Sequence, residues 1–381
     1  MITTTDLIMG ADISTIEDTE KQGGKFLENG KEVVLDKFLF DNGITSVRLR
    51  VWNDPYSADG TEYGGGTCDT EKIIRIAKRC KALGMSFMLD FHYSDFWCDP
   101  ARQGIPKAWQ GKSVDEMCDA THDFTAQTLK RFESEGVAPE YIQVGNEITN
   151  GMLWDMGKLD RSTPEAMSAS FDVLARLVKA GTTAVREASD GKIIIHLEQS
   201  GKNALWREWF DNMTERGMDF DIIGASYYPL WHGSLENMKA NFDDMITRYD
   251  KDIMIVETAY PFTTKHHNPE CKRLMIDEDF TLEDGSKPVW SFTKEGQAEF
   301  IRDLIKATKE VKDGRCRGIY YWEPGWLPTK ESTWATPSAL KDIGEEEKGT
   351  GNEWANQCLF DYSGNANSAI YEFRQQKSDE T

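Results

Sequence analysis

The stretch YIQVGNEITNGMLW (residues 141–154) begins like a buried β-strand and then turns polar. Asn146 and Glu147 follow directly after its apolar start, and a glycine and a tryptophan come soon after them. A carboxylate at such a place is costly if it is buried without a partner and ordinary if it is exposed. The fold therefore has to account for a glutamate at the end of a hydrophobic strand.

Seven other short apolar runs resemble this one, and amphipathic stretches lie between them. The eight runs are LIMGADI (7–13), SVRLRVW (46–52), SFMLDFHY (86–93), YIQVGNE (141–147), KIIIHLEQ (192–199), IIGASYY (222–228), IMIVETAY (253–260) and GIYYWEP (318–324). Helical patterns are predicted at 70–84, 115–136, 165–189, 235–250 and 293–311. Before the first of these, Asp69 is a candidate N-cap, and Gly84 is suited to its end.

Eight β→α units predict an α/β fold of the (β/α)8 TIM barrel type, with long β→α loops and a single catalytic domain over residues 1–381. The alternative is a doubly wound sheet. That fold more typically carries a glycine-rich phosphate fingerprint after its first strand, and GADIST (10–15) is not one.

In a TIM barrel, functional side chains sit at the carboxyl ends of the strands, and strand alternation predicts which residues point inward. The residues predicted to face the interior are Arg48, Arg50, Asp90, His92, Gln143, Gly145, Glu147, Ile255 and Glu257. Those predicted to face the helices are Val47, Leu49, Val51, Phe87, Leu89, Phe91, Met254 and Val256.

Two glutamates, Glu147 and Glu257, end the fourth and seventh strands and would meet across the barrel mouth. Two carboxyl groups flanking a cavity are the minimum apparatus of glycoside hydrolysis: one is protonated to assist the leaving oxygen, and the other is ionised. Arg48 or Arg50 would keep one carboxylate ionised, while apolar and like-charge surroundings would raise the pKa of the other. Both arginines are also candidates for substrate binding. The alternative is that both glutamates form structural ion pairs.

Several motifs, in order along the chain, resemble the endo-β-1,4-galactanases, glycoside hydrolase family 53 of the Asn-Glu barrel clan. They are GADIST, RLRVWNDP, LDFHYSDFW, QVGNEITNGMLW, SYYPLWHG and VETAYP, and the resemblance extends from about residue 9 to about residue 365. It implies a retaining hydrolase that cuts the β-1,4-galactan of pectin side chains. The sixth strand departs from the wider clan, because Ser226-Tyr227-Tyr228 stands where His-x-Tyr is common.

The resemblance also implies roles for single residues. Glu147 would be the general acid/base and Glu257 the nucleophile. Asn146 would bind the sugar 2-hydroxyl, Tyr228 would donate to the nucleophile, and Trp322 would line the subsite of the reacting sugar. An extracellular location is implied as well.

Other aromatic and imidazole side chains are candidates for substrate binding, each with a structural alternative. Loop tryptophans on the active face suit sugar stacking, but each could equally pack its own loop. The tryptophans in such loops are Trp97, Trp154, Trp231, Trp326 and Trp354. His92 and His232 could contact sugar or only stabilise structure. His196 and Glu198 are interpreted as structural, and Trp206 and Trp209 as helix packing.

No cofactor is predicted to be required, and no metal site is predicted. Some members of the family bind calcium between the loops after strands seven and eight, but residues 263–290 contain no clear ladder of oxygen ligands. His266 and His267 read as a solvated pair. Seven scattered cysteines without a CxxC motif are expected to be reduced thiols.

The net charge of −21 argues against nucleic acid and anionic membranes as partners and favours a neutral polysaccharide. No apolar run approaches the ~20 residues of a membrane span. The stretch MITTTDLIMGAD (1–12) does not look like a secretory leader. The protein would then stay inside the cell, or its leader is absent from this sequence. A monomer is expected.

Three rival functions remain open at this point. Another hydrolase of the same clan could act on mannan, xylan or cellulose with the same mechanism. A non-catalytic carbohydrate-binding barrel would not need both glutamates. A metal-dependent barrel hydrolase usually places histidines and aspartates on the first strand, whereas Gly10-Ala11-Asp12 offers one acid and no histidine.

Overall fold

Eight parallel strands close into a barrel in the computed structural model, which describes residues 7–268, 276–345 and 349–374. In chain order the strands are β1 (Ile8–Asp12), β2 (Ser46–Val51), β3 (Ser86–Phe91), β4 (Tyr141–Val144), β5 (Lys192–Leu197), β6 (Ile222–Ser226), β7 (Asp252–Thr258) and β8 (Cys316–Trp322). Each strand pairs with the next along the chain, and β8 pairs with β1. The predicted (β/α)8 barrel is confirmed, and its strands end one to three residues before the ends of the apolar runs quoted above.

Helices occupy the connections and surround the barrel. They are α1 (Ile16–Lys21), α2 (Leu35–Asp41), α3 (Thr70–Ala82), α4 (Val114–Ser134), α5 (Pro164–Ala188), α6 (Asn203–Glu215), α7 (Leu235–Tyr249), α8 (Lys294–Lys309) and α9 (Pro337–Asp342). The five predicted helical stretches correspond to α3, α4, α5, α7 and α8. After β8 the chain forms α9 and the 3-10 helix Ser368–Phe373.

The helix starts follow from local chemistry. The Asp69 side chain accepts a hydrogen bond from the Lys72 backbone N–H at the start of α3, as predicted, and Gly84 follows that helix with a φ of +86°. Ser113 and Glu116 form a reciprocal capping box at α4. Such caps satisfy backbone donors that the first turn of a helix leaves unpaired.

The barrel interior changes from apolar to polar along the strands. Six residues from five strands form a separate buried cluster, and since the strands are not all neighbours, these side chains meet across the interior. They are Met88, Ile194, Ile222, Met254, Val256 and Tyr320. Asp90 lies two residues after Met88, and His196 lies two residues after Ile194. Both face the same interior and are fully buried. Gly10 makes room for this cluster, because a Cβ there would lie 2.3 Å from the Tyr320 ring.

This cluster corrects the prediction for β7. Met254 and Val256 point into the barrel, whereas Ile255 packs with the outer core against the helices, so the alternation was assigned to the wrong face. A shift in the pairing of β6 with β7 then places Glu257, next to Val256, opposite Ser226. The irregularity adds one residue to the strand and so re-aims the next side chain inward. The predicted outward residues of β2 and β3 do pack with the outer core.

Within the residues that the structure describes, no helix has the length and hydropathy of a membrane span. All six cysteines in the described ranges are free thiols, as expected, and Cys271 lies outside those ranges. Trp206 and Trp209 are fully buried on α6, as predicted.

Candidate active site

Glu257 approaches the carboxyl end of the barrel from β7 and is held by two partners. Its Oε1 is 2.9 Å from Nη1 of Arg48, and its Oε2 accepts a hydrogen bond of 3.0 Å from the Tyr228 hydroxyl. Burial, with the nearby carboxylates of Asp90 and Asp12, raises the pKa of Glu257 to about 7, and Arg48 and the Tyr228 hydrogen bond oppose that rise. These contacts favour the ionised form, so Glu257 is placed as a nucleophile would need.

Arg48 neutralises a group of buried acids below the cavity. Its guanidinium lies 3.0 Å from Asp12 and 2.8 Å from Asp90, in addition to Glu257. The side chain is fully buried and does not line the cavity. The prediction that an arginine of β2 stands beside Glu257 is therefore confirmed for Arg48, but its assignment as a substrate-binding residue is wrong, because carboxylates and amides enclose it.

Glu147 does not belong to a strand. β4 ends at Val144, Gly145 turns the chain with a φ of +80°, and Glu147 adopts a left-handed conformation with a φ of +50°. Its Oε1 accepts a hydrogen bond of 2.6 Å from the Ser226 hydroxyl. Burial raises its pKa well above the usual range, and the nearby carboxyls of Glu257 and Glu198 raise it further. No cation pairs with it among the described residues, so the surroundings of this carboxyl favour its protonated form.

Asn146 is fixed between Glu147 and Arg48. Its Oδ1 accepts a hydrogen bond of 2.7 Å from Arg48, and its Nδ2 donates one of 2.9 Å to the carbonyl oxygen of Cys98. Because a guanidinium only donates, the first contact settles which amide atom is the oxygen. Asn146 also lines the cavity.

A cavity of about 520 Å³ lies over the two glutamates. Six tryptophans line it: Trp97, Trp231, Trp322, Trp326, Trp334 and Trp354. The guanidinium of Arg50 lies beneath two of them, 4.5 Å from the Trp97 ring centre and 5.4 Å from that of Trp322. Arg50 is itself paired with Asp12 and Glu323, at 3.0 and 2.7 Å, and it lines the cavity as predicted.

Both candidate histidines border the cavity but are also held by protein. His92 accepts the Cys98 backbone N–H at Nδ1, 3.0 Å away, and its Nε2 is 3.0 Å from Asp90. His232 has Nδ1 at 2.9 Å from the Ser226 carbonyl oxygen. Burial lowers the pKa of His232 to about 4, so it is neutral at ordinary pH. Both histidines therefore have protein partners and also line the cavity.

One predicted tryptophan lies elsewhere. Trp154 is not among the residues that line the cavity. Its ring packs against Nζ of Lys158 at 4.3 Å, and its Nε1 donates to the carbonyl oxygen of Asn150. The short hairpin of Gly151–Met152 and Gly157–Lys158 turns this side chain away, so its assignment to the cavity wall is wrong.

Other lining residues escaped the sequence reasoning. Trp334, Asp99, Arg102, Glu345 and Glu353 border the cavity, and most of them lie in irregular loops after β3 and β8. Such segments have no periodicity that predicts where a side chain points. Glu353 and Trp354, in the segment 349–354, are buried in the cavity wall.

The residues described here offer no obvious calcium site. No group of three or more histidine, cysteine or acidic side chains within the described ranges could hold a metal. Asp277 and Asp284, in the segment considered for calcium, accept hydrogen bonds from turn N–H groups instead. Residues 269–275 of that segment lie outside the described ranges.

Comparison with known proteins identifies clear relatives. The family model of glycosyl hydrolase family 53 matches residues 8–373. An endo-β-1,4-galactanase of Bacillus subtilis (strain 168) is 32% identical, over 98% of this chain and 86% of the relative. An arabinogalactan endo-β-1,4-galactanase of Cellvibrio japonicus (strain Ueda107) is 33% identical, over 94% of this chain and 87% of the relative. The solved catalytic domain of a family 53 protein from Ignisphaera aggregans superposes with a TM-score of 0.85 at 36% identity, covering 98% of this chain and 97% of that one.

Proposed function

The chain belongs to glycosyl hydrolase family 53, and from this premise we propose that it cleaves internal bonds of β-1,4-galactan with retention of configuration. The observation that carries the proposal is one cavity with two buried carboxyls in opposite electrostatic settings. Glu257 contacts Arg48, whereas the partner of the Glu147 carboxyl among the described residues is the neutral hydroxyl of Ser226. We assign Glu257 as the nucleophile and Glu147 as the general acid/base.

The proposed reaction proceeds in two displacements. In the first, ionised Glu257 attacks the anomeric carbon while Glu147 protonates the departing glycosidic oxygen, and a glycosyl-enzyme ester forms. The ester removes the negative charge of Glu257, which lowers the pKa of Glu147. In the second, ionised Glu147 takes a proton from water, and the hydroxide so generated attacks the same carbon and releases Glu257.

The shape of the cavity supports a curved neutral chain as substrate. In β-1,4-galactan the linkage leaves an axial O4, so the polymer bends. The stacking surfaces here turn accordingly: the ring planes of Trp97 and Trp326 differ by 30°, and those of Trp322 and Trp354 by 81°. The charge of −21 disfavours an anionic chain such as polygalacturonate.

The proposal takes the whole chain as one catalytic domain, because the barrel strands extend from Ile8 to Trp322 and the C-terminal Ser368–Phe373 helix packs back against α8. A polymer of this size is met outside the cell, so an extracellular site of action is part of the proposal. No step of the reaction needs a cofactor.

The substrate assignment is tested with a panel of neutral polysaccharides. Unbranched β-1,4-galactan is expected to be cut at least about 100-fold faster than mannan, xylan or cellulose, because buried polar groups that recognise an axial oxygen reject an epimer strongly. Reducing-end release measures the rate, and viscosity should fall well before reducing ends accumulate. Equal rates on mannan or cellulose at matched enzyme concentration would contradict the assignment.

The stereochemical outcome is a separate prediction. In a retaining enzyme the two carboxyl groups lie about 5–5.5 Å apart, which leaves no room for a water between them. Proton NMR of a fresh galactan digest should therefore show the β-anomer of the new reducing end first. The appearance of the α-anomer first would instead imply direct attack by water.

A further inference from the structure

Ser226 and His196 form a buried chain of hydrogen bonds behind Glu147. The Ser226 hydroxyl lies 2.6 Å from Glu147 Oε1, and Nε2 of His196 lies 2.8 Å from the same hydroxyl oxygen. Both residues are completely buried, and neither lines the cavity. A serine that touches the acid/base on one side and an imidazole on the other is placed to control the proton of that acid.

Arg48 fixes the far end of this chain. It donates from Nε to Gln143 Oε1 at 3.1 Å and from Nη2 to Asn146 Oδ1 at 2.7 Å. Since a guanidinium cannot accept, both amides have defined orientations. Gln143 therefore presents its Nε2 donor, and Asn146 its Oδ1 acceptor, to Nδ1 of His196, at 3.1 and 2.9 Å.

Either neutral tautomer of His196 can thus find a partner at Nδ1, but the two have opposite consequences for Glu147. With hydrogen on Nδ1, His196 donates to Asn146, and Nε2 takes the hydroxyl hydrogen of Ser226. Glu147 would then have to carry its proton on Oε1, facing Ser226 and away from the cavity. With hydrogen on Nε2, His196 donates to Ser226, whose own hydrogen is free to point at Oε1.

The ionised state of Glu147 permits only the second arrangement. A carboxylate accepts and never donates, so the single hydrogen of Ser226 is committed to Oε1. Nε2 of His196 must then donate to Ser226, and Gln143 supplies a donor to Nδ1. We propose that Ser226 and His196 are positioning residues that hold Oε1 of Glu147 as an acceptor and so confine its exchangeable proton to Oε2.

This arrangement suits both halves of the proposed reaction, on whose assignment of Glu147 it rests. Within the described ranges no residue donates a hydrogen bond to Oε2, and Glu147 lines the cavity, so Oε2 is the oxygen open to the leaving group and to water. Ser226 does not line the cavity, so it would contact neither the leaving group nor the water. It acts through Glu147 alone.

The charges around the pair keep His196 neutral. His196 faces Arg48 and the imidazoles of His92 and His232, and burial together with these groups lowers its pKa well below the usual range. Glu147 faces the acids Glu257, Glu198 and Asp99, which raise its pKa, while the Ser226 hydrogen bond lowers it. Among these neighbours of Glu147, Ser226 is therefore the one whose removal destabilises the carboxylate.

The test removes the Ser226 hydroxyl and measures the pKa of the Glu147 carboxyl. In Ser226→Ala the carboxylate loses its donor, so the pKa of Glu147 should rise by about one unit, as followed by NMR of 13C-labelled glutamate. The basic limb of kcat/KM on galactan should move upward by the same amount. With an activated aryl galactoside, whose turnover waits for Glu147 to act as base, kcat below that pKa should fall about tenfold.

Two matched variants separate positioning from general damage. Ser46→Ala removes another fully buried serine hydroxyl of the barrel, one bonded to the Tyr320 hydroxyl at 2.8 Å, and should leave the Glu147 pKa unchanged. Ser226→Thr keeps the hydroxyl and should restore the wild-type value. An unmoved pKa in Ser226→Ala, or an equal shift in Ser46→Ala, would overturn the proposal.

The tautomer gives an independent readout that requires no substrate. In 15N NMR of the wild-type protein, His196 should carry its hydrogen on Nε2 once Glu147 has ionised. Hydrogen on Nδ1 in that state would also overturn the proposal. The tautomer is measured on the free protein, so its outcome does not depend on galactan cleavage. If the proposed function is wrong, the wild-type enzyme itself will fail to cleave galactan.

Discussion

Glu257→Ala should abolish galactan cleavage, with a loss of about 10⁴-fold or more in kcat/KM, because both displacements pass through the covalent ester on this residue. Glu147→Ala should behave differently. On galactan it should lose about 10²- to 10⁴-fold, the usual value of general acid–base assistance. On an aryl galactoside whose leaving group needs no proton, formation of the ester should stay fast while its hydrolysis becomes slow. Steady-state rates on both substrates, with a burst of released phenol for Glu147→Ala only, measure the difference.

A third buried carboxyl is the matched control for this pair. Glu198 accepts a hydrogen bond of 2.5 Å from Thr149 and does not line the cavity, so Glu198→Gln should reduce the rate by less than about tenfold. A 2-fluoro activated galactoside should label Glu257, identified by peptide mass spectrometry. Label on Glu147, or equal losses in all three variants, would contradict the assigned roles.

The sequence predicted which two glutamates form the site more accurately than it predicted how the strands place them there. Short apolar runs at regular spacing predict a barrel, and a barrel brings the strand ends together, so Glu147 and Glu257 could be named from position alone. The predicted side-chain orientation along β7 was partly wrong. Alternation along β7 put Ile255 inward, whereas the interior holds Met254 and Val256, and a local irregularity delivers Glu257 to the cavity. Single-residue irregularities of this kind depend on pairing with the neighbouring strand and leave no local sequence signal.

The loop residues mark the other limit of sequence reasoning. Trp97, Trp231 and Trp326 line the cavity as predicted, but Trp154 does not, although all four follow barrel strands. Where a loop tryptophan points depends on contacts that are distant in sequence, such as that between Trp97 Nε1 and the Trp334 carbonyl oxygen. The Ser226–His196 pair was missed for a related reason: a buried histidine reads as structural until its partners on other strands are known.

Arg48→Lys should impair the nucleophile selectively. A lysine ammonium keeps the charge but cannot reproduce the planar fork that contacts Asp12, Asp90 and Glu257 together. Burial raises the pKa of Glu257, and Arg48 opposes that rise, so the pKa should go up when this contact weakens. Since Glu257 works ionised, the acidic limb of kcat/KM should move upward by about one unit, and rates at pH values below the limb should fall about tenfold. The measurement is a pH profile on galactan.

Arg50→Lys separates this effect from the loss of any buried arginine. Arg50 lies two residues along the same strand, is equally buried and also pairs with two carboxylates, Asp12 and Glu323, but it does not contact Glu257. Its replacement should lower the melting temperature as Arg48→Lys does, and it should raise KM, because Arg50 lies under Trp97 and Trp322. Its acidic limb should stay where it is in the wild type. If the limb moves equally in both variants, the ionisation of Glu257 depends on the charge of the whole buried cluster. If it moves in neither, the contact with Arg48 orients the nucleophile without setting its pKa.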